Sequence, residues 1–206
     1  MNSSITELIS KAKGMYCRVF FENLTGLDTT TVVRLSDVSE DENERSNYIP
    51  SGWATLRYLN TTRPLRSDDV FLDIGSGKGR VVLLAATYPV RRVIGVELSS
   101  VLHEIAQSNL ARAEKWLACR DVQLVCDDAA SYQIPDDVTV VYLFNPFVGA
   151  PFLRVIDNIG ESLLRRKRPI WIFYTNPVMH QYIVERSWVR VHEFISGSVA
   201  IYECNL

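Results

Sequence analysis

Cysteine is scarce in this chain, and so is any excess of one charge. Four cysteines stand among 206 residues, at positions 17, 119, 126 and 204, too scattered for a metal site or a disulfide framework. Cys126 and Cys204 fall in apolar strand patterns, so buried free thiols are expected. Lys and Arg number 22 against 24 Asp and Glu, a net charge of −2, which leaves no electrostatic footprint for nucleic acid. The longest basic run, Arg165-Arg166-Lys167-Arg168, sits where a helix ends, the ordinary place for cations that complement the helix dipole. Only three histidines occur, His103, His180 and His192, and no His/Cys/Asp grouping points to a metal. Long apolar runs, a leader peptide, lipidation motifs, repeats and low-complexity stretches are all missing, so a cytoplasmic protein with no membrane partner is expected.

What is present is concentrated between Val70 and Ala86. An apolar run, Val70-Phe71-Leu72, meets Asp73, then Gly75-Ser76-Gly77-Lys78-Gly79 leads into a second apolar run from Val81 to Ala86. Glycines at alternate positions let the backbone turn sharply and admit a ligand closely, and the helix that follows presents unpaired N–H groups. This is the pattern of a small-molecule cofactor site in the first βα turn of an open α/β sheet. A dinucleotide loop wants Gly or Ala at the position held here by Arg80, and it would set a pyrophosphate near the Asp73 anion. A cation fits there better.

The D-x-G-x-G-x-G element resembles the first motif of the class I (seven-strand) S-adenosylmethionine-dependent methyltransferases. S-adenosylmethionine brings an ammonium, a sulfonium and a ribose with two hydroxyls, but no phosphate. The resemblance implies that Asp73, Gly75, Ser76, Gly77 and Gly79 hold the cofactor. Arg91 to Glu97 reads as a short buried strand ending in a carboxylate about 20 residues after the loop, where a ribose-binding acid belongs. Val122 to Cys126 is a third strand, followed by Asp127, Asp128 and Ala129. The family places an adenine-binding acid before a small residue here, which selects Asp128 and Ala129, with Asp127 in reserve. Ser99 or Ser100 is expected to cap the intervening helix. A fourth strand, Val138 to Phe144, ends in Asn145-Pro146-Phe147, and a fifth, Pro169 to Thr175, in Asn176-Pro177. Trp188 to Ile195 and Val199 to Cys204 form a closing hairpin. The resemblance therefore implies an α/β, Rossmann-like doubly wound sheet of order 3-2-1-4-5-7-6, with strand 7 antiparallel.

Residues 69–206 carry that core. Residues 1–68 are expected to be a helical, substrate-facing extension or lid, with an amphipathic stretch from Ile5 to Phe21 and an acidic segment from Asp37 to Arg45. Ser51 is expected to cap a helix from Ala54 to about Thr61. Tyr48-Ile49-Pro50, followed by G-S-G-K-G-R and Asn-Pro-Phe, resembles a bacterial subgroup of the same family. Tyr48 is expected either to close over the cofactor's methionine end, its ring facing the sulfonium, or to staple the helix that follows. Methyltransferases acting on planar amino groups often carry Asn-Pro-Pro-Tyr or Asn-Pro-Pro-Phe after strand four. This chain lacks the second proline, so nucleobase and glutamine acceptors lose support. Asn145 is expected to touch cofactor and acceptor, with Pro146, Phe147, Tyr174 and Asn176 beside the acceptor. Tyr48 and His180 are the further catalytic candidates. The expected activity is methyl transfer to N or O of a small molecule. A protein-lysine or peptide acceptor and a non-catalytic cofactor-binding subunit are the alternatives.

Overall fold

The computed structural model describes residues 22, 25–30, 50–144, 147–195 and 197–206. The expected helix at Ile5–Phe21, the acidic segment 37–45, Tyr48, Asn145 and Pro146 lie outside those residues. The elements in chain order are α1 (Thr55–Thr62), β1 (Val70–Ile74), α2 (Arg80–Ala86), β2 (Arg92–Glu97), α3 (Ser100–Ala113), β3 (Val122–Cys126), β4 (Val140–Phe144), α4 (Ala150–Arg165), β5 (Ile170–Thr175), α5 (His180–Val184), β6 (Val189–Ile195) and β7 (Val199–Cys204).

The strands form one seven-stranded sheet in the order β3-β2-β1-β4-β5-β7-β6. The five leading strands pair in parallel, and β7 enters antiparallel between β5 and β6. This is the expected architecture. Strand β1 is buried along its whole length, as a central parallel strand covered on both faces must be. The edge strands β3 and β6 have no fully buried residue, and Cys126 at the end of β3 is exposed. That corrects the expectation of a buried thiol there: an apolar pattern does not reveal that its strand is an edge. Cys119, outside any strand, is buried instead.

Side-chain alternation divides the core between the two faces. Phe71, Val93, Tyr142, Phe173 and Ile201 pack with α1 and α2 on one side. Leu72, Ile74, Leu143, Tyr174 and Tyr202 pack with α4 on the other. Helix α3 begins as expected, with the Ser99 hydroxyl accepting from the Leu102 N–H. Helix α1 does not. Its N-cap is Ala54 with no side-chain cap, and the Ser51 hydroxyl lies 3.0 Å from the Tyr142 hydroxyl. A tertiary partner on β4 has taken the group that local spacing assigns to capping.

Candidate functional site

The glycine turn leaves β1 at its carboxyl end and is pinned by backbone bonds. The N–H groups of Gly75 and Ser76 donate to the Val96 carbonyl at 2.9 and 3.0 Å, and the Gly79 N–H to the Ser76 carbonyl at 2.9 Å. Gly79 has φ +81°, and a Cβ there would meet the Ala106 Cβ at 3.2 Å, so both conformation and helix packing require glycine. Gly95 is equally constrained by space. A Cβ on it would stand 2.6 Å from Val82 Cγ2 and 3.0 Å from the Ser76 side chain. In the sequence Gly95 is one more residue of an apolar strand; only the packing of Val82 of α2 and of Ser76 over β2 shows why a side chain is excluded. The Ser76 hydroxyl is buried with no hydrogen-bond partner among the described residues.

Asp73 and Glu97 lie on neighbouring strands and on one face, two residues apart in register. Asp73 is 3% exposed. Burial and the neighbouring Glu97 charge push its carboxyl well above the usual range. No described N–H, hydroxyl or cation is bonded to it. Glu97 is better served: Gly77 N–H donates to Oε2 at 2.8 Å and Ser99 N–H to Oε1 at 2.9 Å. Burial nevertheless raises its pKa above the ordinary carboxylate value. Asp127 N–H donates to the Glu97 carbonyl at 3.0 Å, bringing the turn after β3 alongside. There Asp128 is exposed, its carboxylate accepting from Ala130 N–H at 2.9 Å, and Ala129 is buried.

Beside Asp73 in register stands Tyr142, which the sequence reading passed over as one more apolar strand residue. It is fully buried, and burial pushes its phenol up to about 12. Its hydroxyl donates to Thr175 Oγ1 at 3.2 Å as well as lying against Ser51. A tyrosine in a buried strand has to find a partner for its hydroxyl, and that was the available signal.

The expected acceptor-side residues do not all come together. Tyr174 is fully buried on the face opposite Asp73, stacked on Phe152 with its hydroxyl accepting from Met179 N–H at 3.4 Å. His180 lies with it: its Nδ1 is 2.8 Å from the Tyr202 hydroxyl and its ring stacks on Phe194 at 3.9 Å. Burial lowers the imidazole pKa. Both therefore depart from the expected crevice position, because strand alternation sends Tyr174 and Tyr202 to one face and Asp73 to the other. Phe147 is half-buried against that same far cluster. Asn176 takes φ +52° just after β5, with its N–H donating to the Ser198 carbonyl at 2.8 Å, a left-handed position that asparagine tolerates.

Two basic side chains, Lys78 of the loop and Arg80 at the start of α2, are buried. The Lys78 ammonium is 1% exposed and donates to both Asp28 carboxylate oxygens at 3.0 and 2.9 Å. The Arg80 guanidinium donates to Glu22 Oε1 at 3.0 Å, to the Thr29 hydroxyl and carbonyl at 2.9 Å, and to the Ser51 carbonyl at 2.7 Å. It also lies 4.8 Å above the Trp53 ring. Asn109 of α3 closes the arrangement, bonding the Asp28 backbone and the Lys78 carbonyl. Among the described residues no group of three or more metal-ligating side chains gathers, and no helix is long and apolar enough to cross a membrane.

Residues 71–163 match the family described as "Methyltransferase domain". Among curated proteins, trans-aconitate 2-methyltransferase of Methylobacterium radiotolerans is 29% identical over 118 residues, covering 52% of this chain and 45% of that protein. The chain thus aligns with less than half the length of that relative. An RNA methyltransferase from Salinibacter ruber, solved with S-adenosyl-L-homocysteine, superposes with TM-score 0.53 at 19% identity, over 76% of this chain and 93% of that one. A SAM-dependent methyltransferase from Aquifex aeolicus gives TM-score 0.56 at 12% identity, over 74% and 89%. At these identities the structural likenesses speak for the fold.

Proposed function

We propose that this chain, which carries a class I S-adenosylmethionine-dependent methyltransferase domain, transfers a methyl group to N or O of a small-molecule acceptor. One observation carries the cofactor assignment. Asp73 is a buried carboxylate with a second carboxylate beside it and no described donor. Such a group is costly unless a cation or donor meets it. A ligand with an ammonium group relieves that cost, whereas a pyrophosphate would add to it. The half-buried Glu97 suits a ribose diol, since a carboxylate accepts well from hydroxyls, and Asp128 with Ala129 borders the same end of the sheet. The residues fit the cofactor.

Bound S-adenosylmethionine supplies an already activated electrophilic methyl group. The protein's own task is to orient an acceptor in line with it and to exclude water. Asn145, next in sequence after the last residue of β4, a strand that lies between β1 and β5, is the residue we assign to positioning the acceptor. The likeness to an enzyme named for trans-aconitate supports a small acceptor. The balanced net charge and the internal pairing of Arg165 with Asp136 support a partner other than nucleic acid. A cytoplasmic location and a substrate-facing role for residues 1–68 belong to the same proposal.

Calorimetric titration with S-adenosylmethionine, S-adenosylhomocysteine and NAD tests the reading, with binding of the first two alone expected. Binding of NAD, or of none of them, overturns it. In an acceptor screen Asn145→Ala should lower turnover about 100-fold or more while keeping cofactor affinity. Full turnover in that variant moves acceptor positioning elsewhere.

A further inference from the structure

Asp73 and Glu97 stand on neighbouring strands and on one face, yet their oxygens are served unequally. Each Glu97 oxygen accepts a backbone N–H, one from Gly77 and one from Ser99. Asp73 is buried and, among the described residues, accepts from no donor. The groups around it do not offset a charge either. Among the described residues the one charge acting on it is that of Glu97 on β2. From β4, the Tyr142 phenol is turned to the Ser51 and Thr175 hydroxyls, and burial keeps it protonated. From α2, the apolar Val82 covers the same face at Gly95. From α3, His103 acts on Glu97. Two carboxyls on one buried face do not both ionise readily, and the one without donors keeps the proton.

Resting on the cofactor assignment above, we propose that the site exchanges a proton for its cofactor: Asp73 is a neutral acid in the free protein, and the ammonium of S-adenosylmethionine enters as that proton leaves. The Asp73 O–H bond breaks, the proton passes to water, and the carboxylate left behind accepts from the ammonium N–H. The buried oxygen is thus matched in both states, by the proton in one and by the ligand in the other. Loading then follows pH. Where Asp73 is neutral in the free protein and charged in the complex, affinity rises by up to about tenfold per pH unit. The dependence ends above the pH at which free Asp73 ionises. The ligand's own α-amine loses its proton only at about 7.7–8.0, so below pH 7 it stays charged. S-adenosylhomocysteine keeps the same ammonium and obeys the same rule.

Calorimetric titration of wild type with S-adenosylmethionine and S-adenosylhomocysteine, from pH 5 to 7 in buffers of differing ionisation enthalpy, counts the protons. Release of up to about one proton per ligand is expected for both, with affinity rising in step. The His103→Gln variant should release as many. Difference infrared spectra at pH 5 locate the proton. Free wild type should show a protonated-carboxyl band that Asp73→Asn lacks, that Glu97→Gln keeps, and that saturating S-adenosylmethionine removes. Binding without proton release refutes this inference alone. So does a band that Asp73→Asn keeps, or a release that His103→Gln abolishes, which would make the imidazole the source. A wild type that binds neither ligand overturns the cofactor assignment and this inference with it.

Discussion

Replacing Asp73 by Asn should stabilise the protein in the absence of cofactor and at the same time abolish its response to cofactor. The side chain is 3% exposed, faces Glu97 and has no described donor. An unsatisfied buried polar group costs about 1–3 kcal/mol, more when charged. Asparagine keeps the shape and removes the charge, though its amide must find its own partners, so a gain near the lower end, about 1 kcal/mol, is expected. For a chain of this length that is about 2–4 °C in Tm. The sign with pH follows from linkage. A carboxyl whose folded pKa is raised holds its proton where the unfolded chain, with a pKa of about 3.9, has released it. Wild type therefore loses stability as pH climbs from about 4 through the raised folded value. The gap in favour of Asp73→Asn should open across that window and vanish below pH 4. Adding S-adenosylmethionine at 100 times its Kd should reverse the order, raising wild type by about 2.7 kcal/mol and the variant not at all. Scanning calorimetry from pH 4 to 8, with and without S-adenosylmethionine, reads every part of this. A variant less stable than wild type at pH 8 without cofactor would refute the strained-carboxylate argument.

Gly95→Ala forces a methyl group to 2.6 Å from Val82 and 3.0 Å from Ser76. Urea unfolding should show a loss of about 1–3 kcal/mol with cofactor binding weakened, and an unchanged midpoint would show that β2 and the loop yield freely. At the start of β1, burial pushes the Asp69 carboxyl up, but the Arg63 guanidinium, the Arg66 N–H and the Thr139 hydroxyl outweigh it and hold it below its ordinary value. That contribution is present above the unfolded pKa of about 4 and is lost as pH falls through the folded value. Asp69→Asn, which leaves buried Arg63 uncompensated, should cost about 3–5 kcal/mol at pH 7. Its deficit in urea unfolding should shrink below pH 4; a deficit constant with pH would count against the ion pair.

The glycine loop, the acid that ends β2, the acids after β3 and the closing hairpin were legible in the sequence because each is a local pattern. A turn needs its glycines where the chain turns, and a strand between buried neighbours is apolar along its length. The Ser99 cap belongs to the same class, its partner lying three residues on. Ser51 looked equivalent and was not, because its hydroxyl meets Tyr142 across a separation no local rule covers. Tyr174 and His180 were misplaced for a related reason. The FYTNP stretch shows that a strand ends, but not which of its residues share a face with Asp73.

Composition and spacing alone determined that this chain is an α/β domain with a glycine turn after an acid-bearing first strand, since backbone freedom, apolar periodicity and the sign of a charge are properties of short segments. The tertiary structure alone decided which face each strand residue joins, that Tyr142 and Gly95 flank Asp73, and that Lys78 and Arg80 are spent on Asp28 and Glu22. Those outcomes depend on strand register and on pairings between residues 50 or more positions apart. Such pairings exist only once the sheet has closed, when burying a charge makes a distant partner necessary.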